Sequence, residues 1–206
     1  FVQEGSVEDG YVWSPRYLPC KTKLDSWQCI HEPGATSYYG TKNGIEVSET
    51  VFLPKSGTYE IMLVKAKNIS NEVKKISITP EIEFLLYNSF GVDPVYYSWY
   101  TDTSLREDFS FLFERRVGGA VTGFFKPLEK PVSFETSLKR FFAGEDQQKP
   151  LSVFNEKLSC NMSGGDPYIA ACKYDLELKP GEEKTLAFFT GVGVDVLDQI
   201  SQKYKS

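Results

Sequence analysis

The stretch that decides the fold runs from residue 44 to residue 86 and reads GIEVSETVFLPKSGTYEIMLVKAKNISNEVKKISITPEIEFLL. It predicts three strands joined by turns at 54–57 (PKSG) and 68–71 (NISN), because these residue types tolerate tight backbone bends. Just before it, Asn43-Gly44 favours a two-residue hairpin with positive φ at both positions. We therefore expect a central antiparallel meander around which the rest of the chain packs.

The third strand of the meander shows a two-residue period from Ile76 to Leu86, because apolar side chains alternate with polar ones. The polar positions, which we expect to face water, are Ser77, Thr79, Glu81 and Glu83. The middle strand, from Tyr59 to Ala66, is apolar at both parities. A strand that is buried on both faces lies inside a stack of sheets and not at its edge.

Alternation and turn residues predict further strands on both sides of the meander. These lie at 24–30, 36–41, 109–113, 120–125, 166–178 and 184–192. A helical spacing of Phe134, Leu138 and Phe141 predicts a short helix within 133–142. A closing helix over 196–204, capped by Asp195, has little left to cover in a finished sandwich, so we interpret 195–206 as the start of a link to a helical domain.

Many short strands with regularly spaced turn signals are typical of an all-β sandwich, which we assign to residues 1–194. The 206 residues are 41% hydrophobic, enough for one sizeable core, and carry a net charge of −5. This acidic balance argues against nucleic-acid and anionic-membrane partners. No apolar run reaches the roughly 20 residues that a bilayer crossing needs. We expect a soluble protein.

The four cysteines show no CxxC spacing, and the chain has one histidine. A zinc site is therefore not predicted, and we expect no metal and no cofactor. Cysteines in a chain of this size are most often reduced, which favours a cytoplasmic location.

Catalytic constellations are missing from the sequence. Triad-type chemistry needs an oriented histidine, and His31 stands among aromatic residues and Pro33, without a GxSxG nucleophile elbow in the chain. The glycine pairs lack a phosphate-loop frame. Glu81 and Glu83 share the polar face of a strand; two carboxylates can serve glycoside chemistry, but this spacing is the ordinary result of a solvated face. We predict no catalytic residue in this chain.

An aromatic-rich segment without clean periodicity, residues 87–106, is the strongest candidate for function, because long loops inside compact domains usually carry it. Sugar rings stack on Tyr and Trp side chains, and Asp and Arg hydrogen-bond their hydroxyls. The same residue types also cover neighbouring subunits. Both interpretations stay open for Tyr96, Tyr97, Trp99, Tyr100, Asp102 and Arg106.

An ordered set of short motifs resembles the amino-terminal module of cellobiose and chitobiose phosphorylases and their cyclic-glucan-synthase relatives. The motifs are Trp13-Ser14-Pro15, Cys29-Ile30-His31, Asn43-Gly44-Ile45, Val51-Phe52-Leu53-Pro54, Asn68-Ile69-Ser70, Phe141-Phe142-Ala143-Gly144, Gly165-Asp166-Pro167 and Leu178-Lys179-Pro180-Gly181-Glu182. One departure is Glu32, which follows His31 where the family usually has glycine.

The resemblance implies a β-supersandwich of the galactose-mutarotase-like type that precedes a helical toroid. In that family the toroid holds the catalytic aspartate, and the enzymes cleave a β-glucosidic bond with inorganic phosphate and invert the anomeric centre. The sandwich helps to build the homodimer, and one of its loops borders the neighbouring subunit's active site. By position that loop corresponds to residues 96–106 of this chain.

The sequence thus predicts a non-catalytic domain of a glycoside phosphorylase or glycosyltransferase, with carbohydrate and phosphate bound by the parent enzyme. Two rivals remain. A stand-alone sugar mutarotase or epimerase would use His31 for proton transfer. A free carbohydrate-binding module would bind oligosaccharide through the aromatic segment.

Overall fold

The computed structural model describes residues 1–86, 98–117, 121–144 and 146–204. Within these residues the chain forms two antiparallel sheets, one of eight strands and one of six. The larger sheet has the order β3-β4-β5-β6-β14-β11-β10-β9. Its strands are β3 (Ser26–Glu32), β4 (Ala35–Lys42), β5 (Ile45–Phe52), β6 (Tyr59–Asn68), β9 (Thr101–Leu105), β10 (Phe111–Arg115), β11 (Val121–Pro127) and β14 (Glu183–Val192).

The smaller sheet has the order β12-β13-β7-β1-β2, and β8 also pairs with β13. Its strands are β1 (Val2–Glu4), β2 (Tyr11–Trp13), β7 (Lys74–Ile78), β8 (Glu81–Glu83), β12 (Ser133–Ser137) and β13 (Tyr168–Leu178). Helix α1 (Leu138–Phe142), a 3-10 turn (Leu151–Phe154) and helix α2 (Val194–Lys203) complete the described elements. The predicted all-β sandwich is confirmed.

Aromatic side chains fill the space between the sheets. Phe125 and Phe188 of the larger sheet stack with their ring centroids 5.6 Å apart, and Phe111 packs edge-on against Phe134 of the smaller sheet. All four rings are buried. Burying one such side chain contributes about 1.5–3 kcal/mol, so these contacts hold the two layers together.

The predicted turn between β4 and β5 is confirmed. Asn43 has φ 48° and Gly44 has φ 76°, the left-handed values that a type I′ hairpin needs at both positions. A Cβ added at Gly44 would lie 2.7 Å from the Cβ of Ser70. Glycine is therefore required there both by the backbone angle and by the space, and the turn sets the β4–β5 register.

Strand β6 lies in the interior of the larger sheet and is covered on both faces, as its apolar pattern predicts. Met62 and Val64 face the smaller sheet. Tyr59 and Ile61 face outward, where they meet Leu197 of α2. The second cover is a helix instead of another sheet.

Helix α2 buries Leu197 and Ile200 against the outer face of the larger sheet. The expectation that this helix has little to cover is therefore wrong, because the outward side chains of β6 and β14 are apolar and need a cover. Its N-cap residue is Gly193 and not Asp195, and the cap has no side-chain hydrogen bond. In the residues that the structure describes, no helix has the length and apolar character needed to cross a membrane.

The predicted third strand of the meander is two strands, β7 and β8, because Pro80 has no N–H to continue the ladder. Half of its predicted polar face is also not exposed to water. Ser77 and Thr79 are buried, and the Ser77 hydroxyl bonds to Asp175 of the adjacent strand β13. The smaller sheet is covered on both faces, since α1 and the 3-10 turn form a second apolar cluster outside β13.

Residues 133–142 also differ from the prediction. Residues 133–137 form strand β12, and the helix comprises Leu138–Phe142. Phe134 enters the core between the sheets, whereas Phe141 enters the outer cluster. The helical spacing of these phenylalanines thus arose by chance from two separate elements.

Candidate functional site

The sequence-predicted site residues lie at opposite ends of the larger sheet. His31 is on β3, the strand at one edge, and Asp102 is on β9, the strand at the other edge. Trp99 and Tyr100 immediately precede β9, and Arg106 immediately follows it. Tyr96 and Tyr97 lie outside the described residues. The structure therefore groups four of the candidates around β9 and separates His31 from them.

The inner face of β9 is fastened to the loop of residues 163–168. Thr103 Oγ1 donates to the carbonyl of Ser163 at 2.7 Å. Thr101 is buried, and its hydroxyl lies 3.4 Å from the hydroxyl of Tyr168. Strand β9 is thus held by side-chain hydrogen bonds to residues 163–168 and by its backbone pairing with β10.

Trp99 rests beside the same loop. A Cβ placed on Gly165 would lie 3.9 Å from Trp99 Cδ1, and Ser98 Oγ donates to the carbonyl of Gly165. The indole is nevertheless 62% exposed. The backbone next to it is held in place, because the Tyr100 carbonyl accepts a hydrogen bond from the Arg116 N–H at 2.9 Å.

The buried carboxylate of Glu135 is the centre of a hydrogen-bond network next to the loop of residues 163–168. Its Oε1 accepts hydrogen bonds from the backbone N–H groups of Thr136 and Ser137 at 2.9 Å. Arg140 donates to the same oxygen at 3.0 Å from Nε and 2.7 Å from Nη2, and Nη2 also donates to the carbonyl of Asn161. Glu135 is 1% exposed, so the arginine provides the opposite charge that a buried carboxylate needs.

Asp166 connects this network to the loop. Its carboxylate accepts hydrogen bonds from the hydroxyls of Ser137 and Ser163. Burial alone would raise the pKa of Asp166, but these two hydrogen bonds and the nearby Arg140 outweigh it and lower that pKa below its ordinary value. The ionised carboxylate therefore ties residues 163–166 to the start of α1.

Sequence reasoning missed Glu135, Arg140 and Asp166 as a network. Treating 133–142 as one helix placed Glu135 on a helical surface. Treating 133–137 as a strand would have put Glu135 and Ser137 on one face, which is the signal that was available.

The outer face of the β9 edge carries the two charged candidates, and both are engaged within the chain. Asp102 accepts from Arg116 Nε. Arg106 Nη1 donates to Asp198 Oδ1 of α2 at 2.6 Å. Exposed ion pairs of this kind contribute about 0–1 kcal/mol, so they orient side chains more than they stabilise the fold.

His31 lies on the exposed strand β3 and is exposed itself. Its Nδ1 is 3.0 Å from Thr36 Oγ1, and its Nε2 is 3.4 Å from Cys29 Sγ. Both ring nitrogens thus face neutral side chains of β3 and β4 and not a carboxylate.

The two strand carboxylates are in different environments. Glu83 is exposed, whereas Oε1 of Glu81 is buried without a hydrogen-bond partner among the described residues. Burial, and secondarily the charge of Glu83, raise the pKa of Glu81 to about 7. The interpretation of Glu81 as part of a solvated face is therefore wrong for its Oε1 atom, although the residue as a whole is half-buried. Glu81 also lines a cavity of about 670 Å³ between the sheets. In the portion of the chain that is described, no group of three or more His, Cys, Asp or Glu side chains is arranged to hold a metal ion.

Two antiparallel sheets packed face to face, with an outer helix and a structured edge loop, define an all-β supersandwich domain. The chain belongs to the family of the glycosyl hydrolase 94 supersandwich domain, whose family model matches residues 5–206.

Curated relatives are sugar phosphorylases. One is the 3-O-beta-D-glucopyranosyl-beta-D-glucuronide phosphorylase of Paenibacillus borealis, 27% identical over 90% of this chain and 25% of that protein. Another is the N,N'-diacetylchitobiose phosphorylase of Vibrio proteolyticus, 24% identical over 96% of this chain and 26% of that protein. The chain spans about a quarter of the length of the curated relatives it matches.

Among solved structures, a protein assigned as a kojibiose phosphorylase from the human microbiome aligns with 98% of this chain and 24% of its own, at a TM-score of 0.56 and 12% identity. A polysaccharide lyase aligns with 85% of this chain and 24% of its own, at a TM-score of 0.51 and 14% identity. At these identities the likeness concerns the fold alone.

Proposed function

We propose that this chain is the non-catalytic, amino-terminal domain of a cytoplasmic, inverting glycoside phosphorylase that acts on a β-linked glucoside and inorganic phosphate. In the homodimer, the segment of residues 96–106, which contains β9, lies beside the active site of the neighbouring subunit. The observation that carries this proposal is the exposed Trp99 ring on a segment braced by the loop of residues 163–168.

Family membership supports the phosphorylase part of the proposal. The geometry supports the part played by β9. Aromatic residues that anchor interfaces or line sugar sites need rigid support, because a ring that is already in position loses little conformational entropy on binding. The polar layer of Glu135, Arg140 and Asp166 provides such support.

The test is phosphate-dependent release of sugar 1-phosphate by the full-length protein and its variants. Trp99→Ala should lower kcat/KM by about tenfold or more, as expected for the loss of a central aromatic contact. The matched control is Trp27→Ala, which removes an exposed tryptophan (53%) from the opposite edge strand β3. Equal effects of the two substitutions would contradict the role given to β9.

The assignment of chemistry to another domain has its own test. Residues 1–206 alone should release no sugar 1-phosphate from any β-linked disaccharide in the presence of phosphate, since the catalytic aspartate is expected elsewhere in the parent enzyme. Release by this polypeptide would overturn the proposal. The mutarotase alternative draws no support from His31, whose ring nitrogens face Cys29 and Thr36; polarimetry of glucose or galactose mutarotation checks it.

A further inference from the structure

A cysteine, a histidine and a threonine lie together on the inner face of strands β3 and β4, far from the β9 edge. Cys29 and His31 are two residues apart on one strand, so they share a face. The β3–β4 register places Thr36 directly opposite His31. Cys29 Sγ is 3.4 Å from His31 Nε2, and Thr36 Oγ1 is 3.0 Å from His31 Nδ1.

One tautomer of His31 satisfies both contacts. If Nδ1–H donates to Thr36 Oγ1, the lone pair of Nε2 points to the thiol of Cys29 and can accept its proton. A nucleophile, a base and a group that orients the base, each within hydrogen-bond reach of the next, form the arrangement found in activated thiols.

The other cysteines lack this arrangement. Cys20 and Cys172 are buried, and Cys160 is exposed, but His31 is the single histidine of the chain. Cys29 itself is half-buried and sits on an otherwise exposed strand. It is therefore the one thiol of the four that combines access with an adjacent base.

Charged groups border the cluster beyond Tyr38. Tyr38 lies opposite Cys29 in the register. The guanidinium of Arg16 packs 4.9 Å over the Tyr38 ring and forms an ion pair with Glu49 of β5. Glu49 and Glu60 line the cavity beside Tyr38, and Glu49 is the one of these two that is paired with Arg16.

We propose that Cys29, activated by His31 and Thr36, is a nucleophilic thiol and a site of covalent oxidation by peroxides. The sulfur attacks one oxygen of hydrogen peroxide, an S–O bond forms and the O–O bond breaks. The thiol proton passes to His31 Nε2 and then to the departing hydroxide, which leaves as water. Sulfur is oxidised by two electrons to a sulfenic acid, and the peroxide is reduced.

The size of the effect has an upper bound. An ordinary thiol has a pKa of about 8.5 and is only a few per cent ionised at pH 7, so complete ionisation accelerates its reactions by at most about 30-fold. We expect about a tenfold advantage, because a thiolate of lower basicity is also a weaker nucleophile.

The test measures alkylation rates of individual cysteines in the intact native protein, using iodoacetamide and peptide-level mass spectrometry. At pH 7, Cys29 should react about tenfold faster than Cys160. His31→Gln should remove most of this advantage and leave the Cys160 rate unchanged, while the buried Cys20 and Cys172 stay unreactive, which shows that the fold persists. Thr36→Val should slow Cys29 as well, and Thr36→Ser, which keeps the hydroxyl, should restore its rate.

The pH dependence of the Cys29 alkylation rate distinguishes two effects of His31→Gln: the loss of a base that assists ionisation, and a change in the exposure of the thiol. The gap between wild type and His31→Gln should close above about pH 9, where a thiol ionises without help. Under limiting hydrogen peroxide, dimedone should label Cys29 before Cys160. Equal rates at Cys29 and Cys160, a gap that persists at high pH, or equal dimedone labelling would overturn the proposal.

Discussion

The two edges of the larger sheet differ in what lies beneath them. Strand β3 is exposed at nearly every position, whereas β9 is buried or half-buried along most of its length. Each edge presents an exposed tryptophan, Trp27 or Trp99, and Trp27 Nε1 donates to the carbonyl of Pro15 at 2.8 Å. Below β9, however, the loop of residues 163–168 and the buried carboxylate of Glu135 form a bonded layer. Hydrogen bonds to this layer restrict β9 and the residues next to it to one conformation, and a binding surface needs such a fixed conformation.

The largest loss of stability is expected when the hydrogen-bonded layer around Glu135 is disrupted. Glu135→Ala should lower the free energy of unfolding by about 2–5 kcal/mol, mainly because it leaves two buried N–H groups without an acceptor. Arg140 loses its carboxylate partner but keeps the Asn161 carbonyl. Urea denaturation measures this loss of stability. Glu32→Ala, which removes an exposed carboxylate from β3, should change stability by less than about 0.5 kcal/mol. Similar losses at both positions would remove the contrast between the edges.

Acid should weaken the β9 side in particular. Burial alone would raise the pKa of Asp108, but hydrogen bonds from Lys126 and Ser110 outweigh it and hold that pKa well below its ordinary value. A carboxyl group whose pKa is lower in the folded state stabilises the fold above its unfolded pKa of about 3.9, and this contribution is lost as the pH falls further.

The stabilisation that Asp108 provides should therefore be lost as the pH falls below about 5. Between about pH 5 and about pH 2, the free energy of unfolding should fall more steeply in the wild type than in Asp108→Asn. The control Glu32→Gln on β3 should follow the wild-type curve. If Asp108→Asn shows the wild-type acid dependence, the Asp108–Lys126 pair contributes nothing to it.

A smaller effect is expected for single hydroxyl groups. Thr103→Val removes the 2.7 Å hydrogen bond to the Ser163 carbonyl and should cost about 1 kcal/mol. Ser26→Ala removes the exposed hydroxyl contact between Ser26 and Thr41 on the β3 side and should cost less than about 0.5 kcal/mol. The difference in urea midpoint between the two variants reports the support that β9 receives.

Local chemistry was the part of the fold that could be predicted. Asn43 and Gly44 readily adopt the positive φ angles of their hairpin, so their sequence predicts the turn. Strand β6 has apolar side chains at both parities, which predicts that both of its faces are covered. The sequence could not predict which element covers each face of a strand. A two-residue period shows only that one face is more polar than the other. Ser77 is buried since another layer lies outside it, and nothing in its own strand shows that.

For the candidate site, the sequence predicted the segment that carries it but not the contacts that support that segment. The aromatic composition singled out the β9 edge, and the order of the strands then separated His31 from it. The supporting contacts join residues far apart in the chain: 29 positions separate Ser137 from Asp166, and 92 separate Arg106 from Asp198. Such pairs leave no local pattern, so they emerge only when the sheets are assembled.

The most direct test of the account is photo-crosslinking within the assembled full-length protein. A benzoylphenylalanine replaces Trp99 in one variant and Trp27 in the other, and denaturing gels then report covalent dimers. We expect a strong dimer band from position 99 and none above background from position 27. A dimer band from position 27 with none from position 99 would contradict it.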